Sequence, residues 1–279
     1  MHGGGTPPFH DWNEPPFPMG GDYPSYEKAL TASYREEAAQ YRRDDEIEVR
    51  TENHRRICGN LRRIACSFGR QINVLDVGCG TGRHFHCLAN VDTLVGLDIS
   101  AEMLQAAAEP VKKQEISAQN IRLLCRNVYD HSFPSGFFDF IYSLGLFGHG
   151  SQLTIELGTK FHDWLSADGR LYFDTIESVS DPFSAAKNKL KRAIYPLLPP
   201  GARRRLAERE ARLPFFTITR EQVDTVMRRS GFTDFVIAAS ISRPPPWRGL
   251  HLECIAFKSR RGFCVEHAEN VGIRARDSI

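Results

Sequence analysis

Val74-Leu75-Asp76-Val77-Gly78-Cys79-Gly80-Thr81-Gly82 is the stretch that decides the fold. Ile72, Val74 and Leu75 read as a buried strand ending at Asp76. Glycines then stand at 78, 80 and 82, where a backbone must turn tightly or approach a ligand. A ligand is therefore expected beyond the carboxyl end of that strand. A dinucleotide-binding loop would need its third glycine at 83, where this chain has Arg83, so the loop serves something other than NAD.

Working outward from residue 72, strand-like and helix-like segments alternate, the pattern of βαβ units on a parallel sheet covered on both faces. Strands are expected near 72–77, 93–98, 120–125, 137–143, 169–175, 232–241 and 250–257. Helices are expected near 82–90, 101–114, 151–166 and 219–230, with Thr219 as N-cap of the last. The fold class is α/β, a Rossmann-like seven-stranded sheet. Residues 1–22, with Gly3-Gly4-Gly5, Pro7-Pro8 and Pro15-Pro16, read as a flexible lead-in. Residues 23–68 are helix formers and predict a helical cap, and residues 69–258 form the catalytic domain. Within it, 178–214 interrupts the alternation with basic and apolar residues and reads as an inserted lid. A weakly patterned tail, 259–279, follows.

Composition sets bounds on function. Lys and Arg nearly balance Asp and Glu, leaving a formal charge of +2, so no global field draws in nucleic acid or an anionic surface. No run approaches the roughly 18 apolar residues that span a bilayer, and the lead-in lacks the pattern of a signal peptide. A soluble, cytoplasmic protein without a membrane partner is expected. The seven cysteines are scattered without paired zinc-knuckle spacing, so reduced thiols are the simplest reading. His84 and His86 lie near Cys79 and Cys87, but alternate residues on a helix over 82–90 would point apart, and no metal is expected.

Leu75 to Gly82 resembles the first motif of class I S-adenosylmethionine-dependent methyltransferases, of the small-molecule, natural-product type. Phe138-Asp139-Phe140-Ile141 resembles that family's entry into its fourth strand. The resemblance implies a mostly parallel sheet with an antiparallel last strand, S-adenosyl-L-methionine as cofactor and S-adenosyl-L-homocysteine as product. It places the loop (Gly78, Cys79, Gly80, Gly82) against the methionine part of the cofactor, with Asp76 helping to hold its amino group. Asp98, about 20 residues beyond the loop, would accept from both ribose hydroxyls, while Ile99 and Met103 press on the adenine. Near Asn127 and Val128 the family usually has an acid reaching the adenine amino group, and the Asn127 carbonyl can accept the same bond. Ser143 to His149 would face the methyl group. Tyr34, Ala38 and Tyr41 share a helix face and resemble a segment that lies over the cofactor.

His149 is the catalytic candidate, because an imidazole titrating near neutrality can take a proton from a hydroxyl or orient the acceptor. Tyr23, Tyr26, Phe147, Phe183 and Tyr195 are the candidates for contacting substrate. Methyl transfer is mainly positioning and exclusion of water, and aromatic faces favour the cations involved. A small hydrophobic acceptor, aromatic or isoprenoid, methylated on carbon or oxygen in secondary metabolism, is the expected substrate. There is a fainter resemblance to the C-methyltransferases of prenylated indole alkaloids of the teleocidin type. The rivals are an RNA methyltransferase, disfavoured by the near-neutral charge and by the absence of a Pro-Pro-Tyr motif after the fourth strand, and an inactive cofactor-binding partner subunit. A homo-oligomer assembled through the N-terminal segment is a further expectation.

Overall fold

The computed structural model describes residues 23–148, 151–177, 216–240 and 251–259. Two helices, α1 (Tyr23–Glu48) and α2 (Glu52–Cys66), precede β1 (Ile72–Val77). A 3-10 turn (Phe85–Cys87) leads to β2 (Val91–Asp98), α3 (Ala101–Ala107) and β3 (Asn120–Cys125). Then come β4 (Phe138–Ser143), α4 (Ile155–Trp164), β5 (Leu165–Ile176), α5 (Arg220–Arg229), β6 (Asp234–Ser240) and β7 (His251–Phe257).

The strands form one sheet in the order β3-β2-β1-β4-β5-β7-β6. β1 pairs in parallel with β2 and β4, whereas β7 runs antiparallel to both β5 and β6. The seven strands and the antiparallel last strand agree with the sequence reading. The order reverses at β1 and β4, which opens a crevice at their carboxyl ends, where ligands of such sheets bind.

Alternation along β1 explains the layering. Ile72 and Val74 enter the core beneath α2 and α3, with Ile57, Leu61, Ile64 and Leu104. Leu75 and Val77 enter the opposite core, with Leu157, Phe161, Trp164, Val223 and Met227 of α4 and α5. Threonine and serine caps hold the helix starts: Thr51 accepts from the His54 amide, Ser100 from Met103 and Thr154 from Leu157. The expected cap Thr219 forms a full capping box with Gln222.

Two helices differ from expectation. The segment 82–90 forms only the 3-10 turn Phe85–Cys87, between Gly82 and Asn90 at positive φ. His, Phe and Cys are weak helix formers, and contacts with α2 decide their conformation. The helix expected over 101–114 stops at Ala107, because Pro110 disfavours helical backbone just before it.

α4 packs on α5 closely enough that only glycine fits at 158. A Cβ there would lie 2.9 Å from the Ser230 Cβ and closer still to its Oγ. The Ser230 hydroxyl is itself committed to the Ile155 carbonyl at 3.1 Å. Gly158→Ala is expected to cost about 1–3 kcal/mol of stability through this overpacking. Urea denaturation checks it: the midpoint should fall with the slope unchanged.

Candidate functional site

The crevice at the ends of β1, β2 and β4 is a cleft of about 1120 Å3, including its open mouth. Its floor is the loop after β1. Amides of Gly78 and Cys79 donate to the Leu97 carbonyl (2.8 and 3.1 Å), and the Gly80 amide donates to Asp98 Oδ2 (2.8 Å). Gly78, Gly80 and Gly82 all have positive φ. A Cβ on Gly80 would meet nothing within 4 Å, so this glycine faces open space. A Cβ on Gly82 would strike the Phe85 ring at 2.7 Å.

α1 forms the roof. Tyr34 and Tyr41 line the cleft as an edge-to-face pair with centroids 6.4 Å apart, and Ala38 between them is buried. Arg35 pairs with Glu102 of α3 at 2.7 Å, and the Arg42 side chain donates to the Glu109 carbonyl at 3.3 Å. Asp45, 1% exposed, fixes the roof to the floor: it accepts from the Thr81 hydroxyl and from Arg83 Nη1 at 3.2 Å. Burial raises its pKa against the pull of Arg83. Asp45→Ala is expected to weaken ligand binding in the cleft about tenfold, the loss of roughly one charge-assisted hydrogen bond. Hydrogen exchange should show α1 losing protection in the same variant.

Of the residues singled out from sequence, Tyr34, Gly78, Cys79, Gly80, Asp98, Ile99, Met103, Asn127 and Val128 line the cleft together. Asn127 Oδ1 accepts from the Tyr129 amide at 3.0 Å. Asp76, Gly82 and Ser143 are not among the lining residues. The Ser143 hydroxyl, fully buried, donates to the Val77 carbonyl at 2.9 Å and braces β1 against β4. Phe147 is corrected: at 1% exposure it packs edge-on against Phe173 (5.7 Å) and belongs to the core. An alternating strand end does not continue past Ser143, so the side chains there follow the turn at Gly145 and Gly148. Leu144 and Leu146 line the cleft instead. His149, Phe183 and Tyr195 lie outside the described residues, as does 178–214. So do the side chains of Tyr23 and Tyr26, which begin α1.

Sequence reasoning missed Asp45, Thr81, Arg83, His84, Tyr129 and Ser151 as lining residues. Thr81, Arg83 and His84 adjoin the predicted loop and Tyr129 follows Val128, whereas Asp45 comes from α1, distant in the chain, with no local pattern to announce it. Tyr129 is fixed by its hydroxyl, which donates to the Gln152 carbonyl at 2.5 Å.

Three polar atoms beside the loop are buried without a hydrogen-bond partner among the described residues: Asp76 Oδ2, Arg83 Nε and the Tyr142 hydroxyl. Asp76 pairs in register with Tyr142, whose hydroxyl stands beside the carboxyl. Burial pushes the Asp76 pKa up to about 7, against the opposing effects of Tyr142 and Arg83. Burial also raises Asp98, whose carboxylate is partly compensated by the amides of Ser100 and Gly80.

Residues 74–169 match the family described as a methyltransferase domain. Similar solved structures include the 1,6-didemethyltoxoflavin N1-methyltransferase of Burkholderia thailandensis, with substrate and S-adenosylhomocysteine bound. It is 16% identical, with a TM-score of 0.52, covering 88% of this chain and 94% of that one. A DhpI complex with S-adenosylhomocysteine is 14% identical at a TM-score of 0.52, covering 84% and 98%. An S-adenosylmethionine-dependent methyltransferase of Thermotoga maritima, described as a possible histamine N-methyltransferase, is 12% identical at a TM-score of 0.50, covering 82% and 100%. No curated protein matches this sequence. At these identities the solved structures establish the fold, while the family match covers residues 74–169, from β1 into β5. Residues 74–169 are thus similar to a methyltransferase domain, on a fold shared with solved S-adenosylmethionine-dependent methyltransferases.

Proposed function

We propose that this enzyme methylates a small hydrophobic metabolite, aromatic or isoprenoid, on carbon or oxygen, as part of secondary metabolism. The observation that carries this reading is the composition of the cleft beyond the loop. Tyr34 and Tyr41 of α1 and Tyr129 stand there with Leu144 and Leu146. Such walls favour an apolar acceptor and exclude water.

The cofactor, when bound, supplies an activated methyl group at a sulfonium centre. Two of the orphaned atoms beside the loop match its amino-acid end: Asp76 Oδ2 would face the ammonium and Arg83 Nε the carboxylate. Asp98 would hold the ribose hydroxyls at its free lone pairs, and Ile99 and Met103 would flank the base. The aromatic rings of α1 then position the acceptor and favour positive charge near the methyl group. Chemistry of this kind needs alignment at about 3–3.5 Å more than it needs a strong base.

Incubation of the full chain with methyl-labelled cofactor and a panel of phenols, indoles and prenylated aromatics tests the reading. Label is expected in the organic-extractable fraction. Label confined to RNA or protein, or turnover with none of the panel, would overturn it.

A further inference from the structure

Outside the lining of the cleft, four metal-ligating residues meet that the methyl-transfer reading does not use. His54 and Cys58 stand one turn apart on α2, and His86 and Cys87 are adjacent in the 3-10 turn after the cofactor loop. Their ligand atoms all lie within 4.8 Å of one another, with His54, His86 and Cys87 buried. The absence of a metal had been expected on the ground that 82–90 is a helix. As a 3-10 turn it instead aims His86 and Cys87 together at α2.

We propose that His54, Cys58, His86 and Cys87 form a structural Zn2+ site that ties α2 to the cofactor loop. Tetrahedral zinc, with bonds of about 2.0 Å to nitrogen and about 2.3 Å to sulfur, requires nitrogens about 3.3 Å apart and nitrogen–sulfur edges of about 3.6 Å. Here the two Nε2 atoms are 3.4 Å apart. Cys58 Sγ lies 3.2 and 3.8 Å from the Nε2 atoms of His54 and His86, and Cys87 Sγ lies 3.9 and 3.7 Å from them. Five of the six edges of a ligand tetrahedron are thus in place.

The sixth edge joins the sulfurs, which stand in disulfide contact. A disulfide accounts for those two atoms and for neither imidazole, whereas one ion accounts for the convergence of all four. Two thiolates and a divalent cation also make a neutral unit, which suits burial. All four positions are taken by protein, so the site is closed and structural rather than catalytic. It also touches the cleft: the His54 ring stacks on His84 at 5.5 Å, and His84 lines the cleft next to Arg83. Loss of the ion should therefore loosen the loop that carries Thr81 and Arg83.

The full chain, purified under reductant without a metal-affinity step and then dialysed against limiting Zn2+, tests the site by elemental analysis. About one zinc per chain is expected, and none would overturn the proposal. Thiol titration in denaturant with chelator and no reductant should count all seven cysteines; five would indicate the disulfide and overturn it. Co2+ replacing Zn2+ should give the visible bands of a tetrahedral ion and a sulfur-to-cobalt charge-transfer band. An octahedral spectrum without that band contradicts the assignment. Cys87→Ser should lose zinc while the exposed control Cys66→Ser keeps it; equal retention would place the ion elsewhere. The wild-type readings decide the matter even if Cys87→Ser does not fold.

Discussion

Asp98→Ala is expected to weaken binding of S-adenosylhomocysteine by about 100-fold. Two charge-assisted hydrogen bonds to ribose hydroxyls would disappear; at the lower end of the usual ~1.5–3 kcal/mol each, about 3 kcal/mol in all, the loss is about two factors of ten at ~1.4 kcal/mol each. The side chain is also built into the loop, since it accepts from the amides of Gly80 (2.8 Å) and Ser100 (2.9 Å). Asp98→Asn keeps one carbonyl acceptor and should fall between wild type and Ala. Isothermal titration calorimetry measures all three, and an Ala variant within threefold of wild type would remove Asp98 from the cofactor site.

The second large effect is on pH dependence. Asp76 is buried to the point that its pKa rises to about 7, and an ammonium group facing it would favour the carboxylate. Cofactor binding then releases a proton below pH 7. Affinity is expected to tighten by up to about tenfold per pH unit as pH rises toward 7, and to level off above it. The ligand-free protein should behave in the opposite sense. A carboxyl whose folded pKa exceeds its unfolded value of 3.8 stabilises the fold fully below that value. That contribution is lost as pH rises through about 7. Asp76→Asn should flatten both profiles. Titration calorimetry and thermal melts between pH 5 and 8 supply the readings, and an unchanged slope in the Asn variant contradicts the role given to Asp76.

The sheet was legible because its information is local. Ile72 to Val77 is apolar on both faces, and Gly78, Gly80 and Gly82 supply the positive φ values that the loop adopts. Asp98 was legible for the same reason, since it ends the next strand at the crevice. Where tertiary contacts outweigh local preference, the reading failed. The 82–90 segment has helix length but lies under α2, and its His-Phe-His-Cys core yields to that packing. Phe147 has the position of a site residue, yet the turn after β4 rotates it into the core beside Phe173. Asp45 sits in a run of charges, Arg42 to Glu46, whose other members give no sign that one of them is buried. Its partner Thr81 is 36 residues away. The proposed zinc ligands on α2 were invisible for the same reason, because a separation of 28 positions between Cys58 and His86 carries no spacing that announces a shared ion.

In the proposed complex the cleft between the β1 loop and α1 holds the methyl donor, with its acceptor beneath the α1 tyrosines. A crystal structure of the full chain with S-adenosylhomocysteine tests it most directly. The account predicts ribose hydroxyls on Asp98, the amino group at Asp76, the carboxylate at Arg83, and the sulfur turned toward Leu144, Leu146 and Tyr34. Density for the ligand elsewhere, or an amino-acid end remote from Asp76 and Arg83, would contradict it.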